Sequence, residues 1–116
     1  MNNSSNISPE LIRGHIDTII LRVLSESDNY GYEIMKAISK YSHGQYELKE
    51  PSLYSSLKRL ESQDLISSYW GDESQGGRRK YYTVTPLGSK TYEDNVAAWK
   101  IAKVLIDQLI EKEDTQ

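Results

Sequence analysis

Between Thr85 and Ile110 the chain carries apolar residues around more of a helix than one small domain can cover. Thr85-Pro86 is a helix start, since threonine caps and proline suits the first helical position. Tyr92, Val96, Trp99, Ile106 and Ile110 then fall on one stripe, and Ala98, Ile101, Ala102, Leu105 and Leu109 on an adjacent one. Together they span well over half the circumference, as far as about Glu111. A chain of 116 residues holds one core and is too short for two. The surplus apolar face therefore calls for a partner helix, and a symmetric homodimer is the commonest solution. Tyr92, Val96, Trp99, Ala102, Ile106, Leu109 and Ile110 are the expected dimer interface. A buried C-terminal helix in a monomer is the alternative, for which the chain is short.

Upstream, Ser8-Pro9-Glu10 signals a first helix, along which Leu11, Ile12, Ile16, Ile19, Ile20, Val23 and Leu24 recur at helical spacing. Residues 25–29 break it. A second helix is predicted from about Tyr30 to Tyr41, with Ile34, Met35 and Ile38 inward and His43-Gly44 closing it. Tyr46-Glu47-Leu48 reads as a very short strand. Pro51 opens a third helix, in which Leu53, Leu57 and Leu60 share one side. Residues 65–70 and 80–84 are rich in β-branched and aromatic side chains, and a Gly-rich turn segment, 71–77, lies between them. That pattern is a β-hairpin.

Composition closes several alternatives. Hydrophobic residues make up 37% and charged residues 27%, the balance of a globular chain rather than a disordered one. No apolar run approaches the roughly 20 residues of a membrane span. The Asn/Ser-rich start lacks the pattern of a signal peptide. Without cysteine there is no disulfide, thiolate metal site or cysteine nucleophile, and a cytoplasmic location is expected. His15 and His43 lack metal-ligand spacing, and neither a nucleophile elbow nor a phosphate-binding Gly loop is present. No metal, cofactor or catalytic group is expected, and the chain is not expected to be an enzyme.

The net charge of −3 argues against nucleic acid only on average. Residues 76–90 carry Arg78, Arg79, Lys80 and Lys90 and no acid. On the charges alone a solvated charged turn is the favoured reading of that block, and the footprint of a phosphate backbone is the other. The order of elements favours the second. Three helices, a hairpin with a basic arm and a long last helix describe a mainly α fold with a small β component: a winged helix-turn-helix followed by a dimerisation helix. Its expected divisions are a tail over 1–7, a DNA-binding domain over 8–85, the dimerisation helix over 86–112 and a tail over 113–116.

In such a module the third helix enters the major groove of double-stranded DNA. Ser52 and Ser55 suit base edges, Tyr54 suits phosphate or sugar, and Lys58 and Arg59 suit phosphates. Gly76 and Gly77 allow the hairpin tip to approach a groove closely, with Arg78, Arg79 and Lys80 immediately after. A winged-helix protein-interaction module is the competing possibility from another class, and the basic hairpin speaks against it. Trp99 is open between interface packing and a stacking surface for a planar ligand. His15, among Leu11, Ile12 and Ile19, reads as a partly exposed histidine rather than a pH sensor.

Three motifs carry a family resemblance. Residues 30–34 (YGYEI), 53–61 (LYSSLKRLE) and 77–85 (GRRKYYTVT) resemble the PadR family of bacterial transcriptional regulators, over about Leu11 to Ile110. The single C-terminal helix is similar to the small subfamily that contains multidrug-sensing repressors. The resemblance implies a winged-helix fold, a homodimer through the last helix and repression of a nearby operon. Tyr32, inside the first motif, joins the expected DNA-binding residues. Trp99, counted from Gly88, matches a tryptophan that stacks on aromatic compounds across the dimer axis in such repressors. The implied slot for a planar aromatic small molecule is lined by Leu11, His15, Val96, Trp99, Lys103 and Ile106. Two departures matter. Asp64 stands where the family has a glycine, and Asp tolerates the left-handed turn. Lys103 replaces an acidic residue, which favours anionic or neutral aromatics over cationic ones.

Overall fold

The computed structural model describes residues 7–71 and 78–113. Its first helical stretch is divided in two: α1 spans Glu10–Arg13 and α2 spans Ile16–Glu26, where apolar spacing alone predicts one continuous helix. The break falls at Gly14 and His15. Glycine is a poor helix former, and His15 leaves the helical region (φ −114°, ψ 1°) to cap α2. Helix α1 buries no residue that would hold it in line. The Ser8 hydroxyl does accept a bond from the Glu10 amide at 3.2 Å, as a helix start should provide.

The chain continues through β1 (Asn29–Tyr30), α3 (Gly31–Tyr41), α4 (Glu50–Ser62), β2 (Ile66–Trp70), β3 (Lys80–Val84) and α5 (Pro86–Ile110). The hairpin and the long last helix lie where periodicity predicts them. The expected short strand at Tyr46–Leu48 does not form. Leu48 instead enters the core just before α4 begins. The third strand is β1, and the sheet runs β1-β3-β2, antiparallel throughout. Asn29 lies opposite Tyr82, and Ile66 opposite Val84.

Ile20, Leu21 and Leu24 of α2, Ile34 of α3, Leu53, Leu57 and Leu60 of α4 and Ile66 of β2 form the fully buried centre. Each contributes about 1.5–3 kcal/mol by leaving water, and together they set α4 across α2 and α3. Helix α4 stops at Asp64, which takes the left-handed conformation (φ 62°). The Leu65 amide then bonds back to the Leu60 carbonyl at 3.0 Å. An aspartate therefore makes the turn that the position demands.

The junction with α5 is tight. Thr85 Oγ1 donates to the Asp64 carbonyl at 2.8 Å and accepts the Gly88 amide at 3.0 Å. Gly88 lies so close to the Leu65 carbonyl that a β-carbon there would overlap it. Helix α5 thus leaves the sheet at a set angle and runs outward for 25 residues. No helix among the described residues is long and apolar enough to cross a membrane.

Candidate nucleic-acid interface

Helix α4 sorts its side chains sharply. Leu53, Leu57 and Leu60 are buried and Ser56 is buried with them, 2% exposed, although it is polar. Ser52, Tyr54, Ser55 and Lys58 remain exposed on the outer face, with Ser52 and Ser55 in its N-terminal half. Arg59 shares that face but does not stand free of the protein. Its Nε donates to Asp17 Oδ2 at 2.9 Å and its Nη2 to Asp17 Oδ1 at 2.8 Å, a bidentate pair from α4 to α2. Nη2 also donates to Ser56 Oγ at 3.1 Å. The Asp17 hydrogen bonds push the guanidinium pKa up, with the aspartate charge adding to them.

The turn end of the hairpin strands carries an aromatic stack. The Tyr69 and Tyr81 rings lie nearly parallel, 5.7 Å apart, and Tyr30 meets Tyr81 edge-on at 5.4 Å. The Tyr69 hydroxyl donates to Asp28 Oδ2 at 2.6 Å, which raises its pKa. Cations lie over Tyr30 of this stack and over two neighbouring rings: Arg78 is 4.8 Å from the Trp70 ring centre, Arg79 4.8 Å from Tyr30 and Lys80 5.9 Å from Tyr82. Stacked rings restrict long flexible side chains and leave their charge at the surface, where all three residues are exposed. Gly76 and Gly77 lie outside the described residues.

Between helix and hairpin these groups meet in one cleft of about 240 Å³, lined by Tyr30, Gly31, Tyr32, Tyr54, Arg79, Lys80 and Tyr82. The Tyr54 hydroxyl lies against Gly31, where no side chain could fit without moving it. Two cations and two exposed phenols on three separate elements thus face a common space. That combination suits a phosphate flanked by sugar. Ser52, Ser55 and Arg59 line a second cleft, of about 290 Å³, together with Arg13 of α1 and Ile16 of α2. Sequence periodicity had no means of bringing Arg13 there.

A third cleft, of about 360 Å³, opens beside α5. Leu11, Ile12, His15, Thr18 and Ile19 line one side, and Asn95, Val96 and Trp99 the other. The His15 and Trp99 rings meet edge-on, 4.8 Å apart, and Asn95 Nδ2 donates to Thr18 Oγ1 at 2.9 Å. Trp99 keeps 42% of its surface exposed. Beyond it Ile101, Val104, Leu105, Ile106, Leu109 and Ile110 are all exposed, so the outer half of α5 presents an unpartnered apolar face.

Residues 20–94 match the Transcriptional regulator PadR-like family. The chain belongs to the PadR family. It is similar to a transcriptional regulator from Clostridium thermocellum of known structure, with 44% identity, 90% of this chain and 99% of that one aligned, and a TM-score of 0.83. A PadR family transcription regulator from Clostridium difficile is 39% identical, with 84% and 100% aligned and a TM-score of 0.72. Uncharacterized protein X of Lysinibacillus sphaericus is 43% identical over 105 residues, 90% of this chain and 96% of that protein.

As a PadR protein the chain is a transcriptional regulator and not an enzyme. Among its site residues, Tyr32, Tyr54, Arg79 and Lys80 come together in one cleft, while Lys58 is exposed on α4 outside it. Of the residues expected around a planar ligand, Leu11, His15, Val96 and Trp99 share a cleft. Lys103 and Ile106 lie farther along α5 and do not line it. Ile12, Thr18, Ile19 and Asn95 complete its wall. Ile12 and Ile19 were legible as apolar neighbours of His15; Thr18 and Asn95 carried no signal.

Proposed function

We propose that this PadR regulator is a homodimeric repressor that binds a palindromic operator and is released by a planar aromatic ligand. Helix α4 reads the major groove through Ser52 and Ser55, and Lys58 approaches the backbone. Arg78, Arg79 and Lys80 follow the adjacent phosphates. The observation that carries this reading is the shared cleft of Tyr32, Tyr54, Arg79 and Lys80. Residues from α3, α4, β3 and the position just before β3 supply both charge and hydrogen bonding at one point of a surface.

Helix α5 pairs with its mate from a second copy through Val96, Trp99, Ala102, Ile106, Leu109 and Ile110, while Tyr92, also expected at this interface, packs partly buried against the chain's own core. Exposed leucines and isoleucines of that number are poorly solvated in a monomer, and a two-fold partner covers them with the same patch. Pairing also brings Trp99 of both copies to one seam. The cleft beside it has an apolar wall and a volume suited to a small aromatic compound.

Titration of the DNA upstream of its own gene at increasing salt tests the core of this reading. A steep loss of affinity with salt is expected, because each neutralised phosphate releases counterions. Binding that ignores salt, or that fails to separate the operator from scrambled DNA, overturns it in favour of a protein-interaction module.

A further inference from the structure

We propose that the Asp17–Arg59 ion pair is a positioning strut that ties the setting of α4 to the occupancy of the cleft beside Trp99. This rests on the proposed function, and it assigns Arg59 a part different from binding phosphate. The fork of the guanidinium holds the carboxylate at two points, 2.8 and 2.9 Å, and so adds a directional, half-exposed link to the α2–α4 packing that the core sets. Ser56, buried in the α4 core face, receives a third bond from the same group. Arg59 is therefore anchored on the helix it positions.

The other end of the strut reaches the aromatic cleft within one helical turn. His15, two residues before Asp17, caps α2 and meets the Trp99 ring. Thr18, the next residue, accepts the bond from Asn95 of α5. The first turn of α2 is thus gripped on one side by α5 and on the other by α4. Its N-terminal neighbour is loosely held: α1 is four residues long, buries nothing and joins α2 at Gly14. A planar ligand filling the cleft presses on Leu11, Ile12 and His15, and the joint lets that turn shift. Close-packed elements pass such shifts on rather than absorb them. The shift reaches α4 through Asp17.

The two parts open to Arg59 predict opposite signs. If Arg59 serves only phosphate, Asp17→Asn releases it and removes a nearby acid, so DNA binding tightens and its salt slope steepens. If it is a strut, the same change loosens α4. The test uses the full chain, the DNA upstream of its gene and naphthoate as probe, with operator affinity measured with and without the probe. In Asp17→Asn, discrimination between operator and scrambled DNA is expected to fall about tenfold. The release factor is expected to drop to within about twofold of none, from a wild-type factor in the range usual for coupled sites, about 5–150. Arg59→Lys keeps the charge but loses the fork, and is expected to behave like Asp17→Asn; circular dichroism confirms that both fold. Tighter operator binding by Asp17→Asn, or a release factor equal to wild type in both variants, overturns the strut. Failure of the wild type to bind DNA or to respond to naphthoate overturns the functional reading, and the strut with it, before any variant is compared.

Discussion

His15 and Trp99, 84 positions apart in the chain by their numbers, meet with ring centres 4.8 Å apart and planes inclined by 65°. An edge-on pair of this kind leaves much of the indole available, and 42% of Trp99 stays exposed. Planar aromatics are expected to quench its fluorescence by covering that surface. Trp70 is a second emitter, so Trp99→Ala is the control, and quenching that persists in it places the ligand elsewhere. Naphthoate is expected to bind at least as well as methylquinolinium. The cleft has no acidic wall, and Lys103 lies beyond it on the same helix. Lys103→Asp should shift the balance toward the cation.

Helix α5 is expected to hold two copies together. Ile106→Glu with Leu109→Glu places charge on a face that is 43% and 74% exposed at those residues in one chain. Sedimentation should show a dimer for the native chain, and a monomer or aggregate for the double variant. A native chain that sediments as a folded monomer at micromolar concentration removes the dimer from the proposal.

Arg79→Ala and Lys80→Ala are expected to weaken binding to all DNA sequences alike. The slope of log affinity against log salt should flatten by about one unit for each phosphate that is no longer neutralised. Ser52→Ala and Ser55→Ala should instead change which sequences are preferred, measured by competition with single-base variants of the operator. Normal operator binding by both sets would mean that the interface lies on another face.

The two glycines in close contact are expected to fail differently. Gly88→Ala puts a methyl group against the Leu65 carbonyl, which is backbone and cannot yield without moving the sheet. A loss of about 1–3 kcal/mol is expected, read as a lower urea midpoint with unchanged slope. Gly31→Ala meets the far end of the Tyr54 side chain, which can rotate away. Its stability should change less, and its DNA affinity more, since Tyr54 leaves the cleft it shares with Arg79.

What could be read from the chain alone follows from periodicity and local chemistry. The apolar spacing of α4, the hairpin flanking a Gly-rich segment and the cap at Thr85 each depend on residues a few positions apart. The left-handed turn at Asp64 is equally local, and its backbone does adopt that conformation. The break at Gly14 has a local signal in the glycine itself, but the apolar pattern of Leu11, Ile12 and Ile16 continues straight across it and predicts an unbroken helix. The two-residue strand β1 was missed for the opposite reason. Two residues carry no period, and only the unoccupied edge of β3 gives Asn29 and Tyr30 a partner.

The sequence by itself determined the mainly helical class, the hairpin, the family and an apolar face too wide for one chain to cover. These rest on side-chain type repeated at short intervals, which a helix or strand converts directly into a face. Only the tertiary structure decided where the charges go. By sequence Arg59 is one more cation on the outer side of α4, equivalent to Lys58. In the fold it is committed to Asp17, 42 positions away, and Thr18 is committed to Asn95, 77 positions away. Such pairs depend on the packing of α2 against α4 and α5, and the hydrophobic core that produces that packing is indifferent to which polar groups it brings together.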